Sequence, residues 1–509
     1  MTGFDTHMLL AGLAIIGIVI IVSALLSGLI ERTGLPQVAV FIAIGAALGP
    51  AGLGIFNPTL DSSILRVVAT LSLTLVLFSD AVSLNTKLVK RNANLTFRML
   101  GPGTIFCAIL TSVAAWWLLK IPPTGAAILG AALASTDPVL LRSLLRRRDI
   151  PTDARQALQL ESGLNDVVLL PIVIVAMDLM GNTDFSAGSL AKLGLGLFIL
   201  GPGAGVAVGL IAVASLDLVR KRTGVRRDYE SLYSLGVAFT AFAAAEAVHG
   251  SGFLAAFAAG LTIAALDVEL CDCFIEYGEV TAEMLLLFTF VIFGASLIWS
   301  GFSGLTVATI IFTVFAMLIR LPVYLLSLVG SKVDRSARLL IAWFGPSGLS
   351  SLLLVLLPVF AGLPGSERLF SVCSLIVVLS VVIHGGSPML FAGRSDRQPA
   401  TPTPAPPTPE KTSEPEKRER ALPIVVESES STQVADASAI GAQSITLKDL
   451  AELQKSGDQV FLLDVRTERS IEDSELQARG AIRLPPEHVA IEASELGLPK
   501  NAWLIAYCA

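Results

Sequence analysis

"LQLESGLNDVVLLPIV", residues 158–173, is apolar at its end and polar through its middle. Glu161, Ser162, Asn165 and Asp166 interrupt a run that otherwise reads mostly Leu, Val and Ile. Residues four apart share one face of a helix, so Glu161 stacks with Asn165 and Ser162 with Asp166. Two polar ridges then face neighbouring helices. Ser162 and Asp166 offer their side-chain oxygens to one place, and hard alkali cations take oxygen ligands in preference to sulfur or imidazole.

The surroundings of this stretch place it in a bilayer. Of 509 residues, 53% are hydrophobic and 15% charged, against about a quarter charged in soluble domains. Thirteen apolar segments recur, at about 8–30, 37–55, 64–83, 97–118, 123–141, 156–179, 189–216, 231–248, 251–268, 280–298, 304–328, 337–358 and 367–390. That is the signature of an all-α polytopic membrane protein. Several segments are rich in Gly and Pro and are candidates for broken helices. The first has no basic flank and no small-residue cleavage site, so a retained helix is expected rather than a signal peptide. Lys and Arg favour one set of loops: Arg32, Lys87, Lys90, Arg91, Arg142, Arg146–Arg148, Arg220–Arg222, Arg226, Arg227, Lys332, Arg335, Arg394 and Arg397. The alternate loops hold little more than Lys120 and Arg368. Positive loops stay cytoplasmic, so the N-terminus is expected outside and the C-terminus inside. Five cysteines form neither a disulfide framework nor a zinc pattern, and the Cys271-Asp272-Cys273 spacing is one residue too tight for a paired-ligand knuckle. No cofactor and no nucleic-acid partner are expected.

Ionisable groups inside these segments carry the functional information, because each costs several kcal/mol unless partnered or hydrated. Five stand out: Asp80, Asp137, Glu161, Asp166 and Arg320. Thr136-Asp137-Pro138 adds backbone ligands: Pro138 lacks an N–H and disfavours a helical conformation at Asp137. The helix should break there and free carbonyls, which at bilayer depth is tolerated only where protein or a water-filled cavity covers them. "WFGPSGLSS" (343–351) predicts a second break. With segments 1–6 and 8–13 as two inverted halves, both breaks fall in the fifth helix of a half. Paired breaks at matching positions point to a secondary-transporter site.

"VLFSD", "STDPV", "ESGLNDVVLLP", "IRLPVY" and "WFGPSGLSS" together resemble the monovalent cation:proton antiporter family, in its Asn-Asp branch of bacterial exchangers akin to animal sodium/proton exchangers. The resemblance spans residues 8–390. It implies thirteen spans, a dimerisation domain, hence a homodimer, and a core domain in which two broken helices cross. It implies that Asp166 binds the cation or the proton, with Thr136, Asp137 and Ser162 in the ion site, Na⁺ lying at Asp166, Thr136 and Ser162, and Asp80 close by. It further implies that Glu161 pairs with Arg320, and that Asn165, where a second branch has aspartate, goes with one-for-one electroneutral exchange of Na⁺, or of K⁺ or Li⁺, for H⁺ in the plasma (inner) membrane. One departure stands out: Ser347 occupies the place of the arginine in the family's Gly-Pro-Arg-Gly segment.

After the membrane part, which ends near residue 394, the composition changes. Residues 395–442 are rich in Pro, Thr, Ser and charge, and read as a disordered linker. From 443 to 509 an α/β pattern returns, with a helix expected at Leu447 to Gln454 and strands at Val460 to Val465 and 502–509. "FLLDVRT", "ARGAIRLP" and "LIAYCA" are similar to a rhodanese-like domain, with Cys508 at the cysteine position. The chain stops at Ala509, before the loop that would cradle a persulfide, so this small α/β module is expected to be non-catalytic or a fragment. Two further classes compete with exchange: a cation channel, which needs repeated polar groups along a pore, and a membrane-anchored sulfur or redox sensor, which needs no buried Asp137, Asp166 or Arg320.

Overall fold

Two helices break a few residues before a proline. In the computed structural model, α4 (Pro123–Ala134) ends at Ser135, and α5 begins at Pro138 and runs to Leu145 (Pro138–Leu145). α12 (Arg335–Trp343) likewise gives way to an unwound Phe344–Gly348, after which α13 (Leu349–Phe360) begins. These are the two interruptions expected from the sequence, and they come into contact. The Asp137 N–H donates to the Pro346 carbonyl at 2.9 Å.

The structure describes residues 17, 20–22 and 25, most of 37–395, and the tail at 424–426, 443–445, 460–466, 478, 480–484 and 503–507. Arg32, Arg146–Arg148, Arg226, Lys332, Arg397, Cys271, Cys273, the expected helix at Leu447 to Gln454 and Cys508 lie outside the described residues.

The other longer helices among the described residues are α1 (Gln37–Leu48), α2 (Ser63–Ser83), α3 (Ala93–Leu119), α6 (Thr152–Gly181), α7 (Ala187–Arg222), α8 (Arg227–Ala247), α9 (Gly252–Leu266), α10 (Glu279–Ala295), α11 (Val307–Ser327) and α14 (Ser366–Ser395). Among the described residues six helices are long and apolar enough to cross a membrane, and six shorter apolar ones accompany them. The chain is therefore a helical multi-pass membrane protein. Not every Gly-Pro pair breaks its helix: α3 passes Pro102 through a π turn at Met99–Ile105, and α7 makes a π turn at Gly196–Leu200 just before Pro202. A π turn absorbs the lost N–H without ending the helix.

Packing divides the helices into two neighbourhoods. α9 packs on α2, α7 and α8, α8 packs on α2 and α7, and α10 packs on α1 and α2. α4 packs on α3, α6 and α13, and α14 on α13. α2 touches α6 and α13 across the boundary.

Residues 1–399 and 400–509 form two separate units. In the second, β1 (Ile424–Val426), β2 (Gln443–Ile445), β3 (Val460–Asp464), β4 (Ile482–Arg483) and β5 (Trp503–Tyr507) make a parallel sheet in the order β2-β1-β5-β3-β4. β1 lies inside the stretch expected to be linker, where Ile424, Val425 and Val426 form a β-branched run. At the end of β3, Arg466 forms a bidentate pair with Asp464, Nε to Oδ1 at 2.9 Å and Nη2 to Oδ2 at 2.7 Å.

Candidate ion-binding site

α6 carries its polar ridge into the crossing of the two breaks. Glu161, Ser162, Asn165 and Asp166 are all buried. The two carboxylates of the ridge meet different partners.

Glu161 faces α11. Arg320 Nη2 donates to Glu161 Oε2 at 2.8 Å and Nη1 to Oε1 at 3.1 Å, a bidentate ion pair. Tyr324 adds its hydroxyl to Oε1 at 3.0 Å, and the Arg320 guanidinium lies 3.9 Å above the Tyr324 ring. Thr104 of α3 bonds the Tyr324 hydroxyl at 3.0 Å. Arg320 also donates to the Ile341 carbonyl at 3.2 Å, reaching α12 just before its break. One ion pair thus ties α3, α6, α11 and α12.

Asp166 faces the first break. Ser135 donates its hydroxyl to Asp166 Oδ1. Ser350, in the first turn of α13, borders the same carboxylate. Asp166 Oδ2 is buried with no hydrogen-bond partner among the described residues, and so are Asn165 Oδ1 and Ser351 Oγ. A buried anionic oxygen is costly unless something of opposite charge, or a proton, meets it.

Asp137 holds the crossing itself. Its Oδ2 accepts the N–H of Leu349 at 2.6 Å, the first residue of α13. A carboxylate at a helix N-terminus satisfies an orphan donor and matches the helix dipole. Gly348 sits so close that an added Cβ would fall on the Asp137 side chain. Ser347, the departure from the family pattern, donates to the Leu133 carbonyl at 3.0 Å and so caps the end of α4. A hydroxyl there supplies a donor without a fixed charge.

Two residues expected at the ion point elsewhere. The Thr136 hydroxyl donates to Glu161 Oε1 at 2.8 Å and accepts from Arg320 at 3.2 Å. Its carbonyl takes the Asn165 amide at 3.3 Å. Ser162 donates to the Gln159 carbonyl of its own helix at 3.4 Å. The charged Glu161 draws the Thr136 hydroxyl because hydrogen bonds to an ionised acceptor are the stronger ones. Asp80, on α2, lies alongside α6: its carbonyl is 3.9 Å from where a Cβ on Gly163 would stand. Ser135, Ser350, Thr104 and Tyr324 are members that the sequence reading missed. Tyr324 was legible as the i+4 neighbour of Arg320.

A family model for "Sodium/hydrogen exchanger, transmembrane" matches residues 18–391. The chain belongs to the sodium/hydrogen exchanger family. The family match takes in Asp80, Ser135, Asp137, Glu161, Asp166, Arg320 and Ser347, and leaves the tail outside. Among curated relatives, the exchanger segment is similar to the K⁺/H⁺ antiporter NhaP2 of Shewanella sp. (strain MR-4), 25% identical over 385 residues, covering 72% of this chain and 64% of that protein. It is also similar to the Na⁺/H⁺ antiporter NhaG of Bacillus atrophaeus, 23% identical over 386 residues and covering 72% of each chain. The chain thus spans just under two thirds of the Shewanella relative. The sodium proton antiporter MjNhaP1 of Methanocaldococcus jannaschii shares the exchanger fold, with a TM-score of 0.62 at 20% identity, covering 76% of this chain and 99% of its own.

Proposed function

We propose that this exchanger-family protein is a secondary antiporter that moves Na⁺, or another monovalent cation such as K⁺ or Li⁺, against H⁺ by alternating access. One observation carries the reading: the Asp166 carboxylate is buried at the crossing of two broken helices, with one oxygen bonded to Ser135 and the other without a hydrogen-bond partner among the described residues. Proton and cation compete for that oxygen, so coupling needs no signal between distant sites. Ser162 could offer its hydroxyl only by turning from the Gln159 carbonyl of its own helix. Thr136 could offer its hydroxyl only by leaving Glu161, and Asp80 adds negative charge from α2. The relatives are named for K⁺ in one case and Na⁺ in another, so the cation is left to the flux assay.

Asn165 supports one-for-one, electroneutral exchange: its amide donates to the Thr136 carbonyl and carries no titrating proton. The loop charges favour a multi-pass protein of the plasma (inner) membrane with its N-terminus outside and its tail inside. Assembly as a homodimer rests on the resemblance alone. The tail remains our own reading as a partial, non-catalytic rhodanese-like module.

The test is flux in proteoliposomes. A pH gradient should drive saturable uptake of Na⁺ or K⁺, unaffected by an imposed membrane potential, and Asp166→Asn should abolish it while the protein stays folded. Normal exchange in folded Asp166→Asn protein would remove the proposed site. Electrodiffusive current would point to a channel, and no flux to an anchored sensor.

A further inference from the structure

We infer that a groove between α6 and the α7–α9 pair holds one acyl chain of a phospholipid, with the lipid's phosphate at the basic end of α7. The inference stands on the multi-pass fold and does not depend on the antiport reading. α7 and α9 lie side by side and parallel: Gly201 is set against Ser251, Gly205 against Ala255, and Gly209 against Ala259 and Thr262. A Cβ on Gly205 would fall on the Ala255 carbonyl. Small residues at every fourth position let two membrane helices approach this closely. α6 packs on α2, α4 and α12, and its Val167 faces Val206 of α7 and the length of α9 across a groove of 540 Å³. On α9 the lining is Leu254, Phe257, Ala258, Leu261, Ala265 and Leu266, the i, i+3, i+4 series of one helix face. Thr262, on the same face, returns its hydroxyl to the Ala258 carbonyl at 2.7 Å, so the wall stays apolar.

Shape and charge choose the occupant. From Leu254 to Leu266 the helix rises about 18 Å, so the groove averages about 30 Å² in section. A helix with its side chains is about 10–12 Å across and does not fit. A single alkyl chain, about 4 Å thick at van der Waals contact, does. The length is close to one leaflet's share of the hydrocarbon core, about 15 Å. The groove is closed at one end and open at the other: Leu254 and Phe257 are 5% and 6% exposed, Leu261 and Leu266 38% and 56%. Because the two helices are parallel, the open end lies toward the C-terminal end of α7. Arg220 stands about 6–10 Å beyond the level of Leu266, and residues 217–230, "DLVRKRTGVRRDYE", hold five basic residues against three acidic. Glu230 answers Arg220 and Asp217 answers Lys221, while Arg222 is exposed. An apolar wall alone gives no preference over the surrounding lipid; the enclosing shape and a basic end that draws phosphate do. The tip of the chain reaches Phe257 and Val167, the residue after Asp166. A lipid seated there is a wedge between the helix that carries Asp166 and a helix pair locked by glycine, so any shift of α6 past that pair changes its fit.

The experiment uses the full chain in detergent, stripped of lipid and titrated with phosphatidylglycerol bearing 16-carbon chains, with native mass spectrometry as the readout. One lipid per chain should be retained by wild type and by Ile211→Phe, on an exposed face of α7. Its affinity should fall at least about tenfold in Ala258→Phe and Ala265→Phe, which overfill the deep part and the mouth of the groove. Should Ala258→Phe not fold, Ala265→Phe, at the exposed mouth, carries the test. The same lipid with a diazirine at the end of its chain should label peptides containing Val167 or Phe257. Retention unchanged in the folded phenylalanine variants overturns the site, as does labelling confined to peptides without these residues. Equal retention of palmitic acid would give the groove to a free fatty acid, and equal retention of phosphatidylglycerol with six-carbon chains would reduce the site to a basic surface; either result overturns the assignment.

Discussion

The Glu161–Arg320 pair is a buried, bidentate junction, and its chemistry allows a sharp expectation. Removing one partner of a buried pair strands the other charge, typically at a cost of about 3–5 kcal/mol. Glu161→Ala and Arg320→Ala should each lower the melting temperature in detergent steeply, and the double variant should lose less than the sum. Strict additivity would show that the two charges do not stabilise each other. Tyr324→Phe removes one donor to a charged acceptor and should cost about 1.5–3 kcal/mol, read in the same melting assay. The sequence made Glu161, Arg320 and Asp166 legible because charges in apolar runs are conspicuous. It pointed to Thr136 and passed over Ser135. In non-helical backbone adjacent side chains point to opposite sides, so one hydroxyl had to face Asp166 and the other Glu161. Which one does so depends on where α4 ends, and helix ends are the least legible feature of a sequence.

At the scale of the helices, the crossing is a joint made of backbone. Asp137 N–H to Pro346, Leu349 N–H to Asp137 and Ser347 to Leu133 bind the two breaks into one unit. Asp137→Asn keeps an acceptor for Leu349 and should fold, with altered cation affinity. Asp137→Ala leaves a buried N–H unmet, at about 1–3 kcal/mol, and should also lower thermal stability. Gly348→Ala pushes a methyl group into the Asp137 side chain and should reduce folded yield more than Gly304→Ala, where no atom lies within reach. Equal yields of the two would mean that the crossing is looser than drawn. Both breaks were foreseeable, since Pro and Gly mark them. The continuity of α3 and α7 through their Gly-Pro-Gly stretches was not. Proline permits either a break or a π turn, and neighbouring helices decide between them.

The whole molecule is two units, and only the first contains the candidate site. Ending the chain after Arg394 should therefore leave exchange intact, as judged by growth at high Na⁺ in an antiporter-deficient host. Loss of tolerance at normal membrane abundance would make the tail part of the machine. The tail was the harder half to read: β1 forms from three β-branched residues inside a stretch dominated by Pro, Ser and Glu, too short a signal to stand out. The ion pair of the first unit also has a consequence in time. Glu161 and Arg320 are 159 residues apart, and at ribosomal speeds of about 5–20 residues per second the acid waits roughly ten to thirty seconds for its base. Thr136, made 25 residues earlier, is its early companion. During that interval α6 carries an unneutralised acid at the insertion machinery, so a nascent chain halted before Arg320 should persist there or be taken up by membrane proteolysis. Birth order, as well as the finished contact, constrains where this pair could have been placed along the chain.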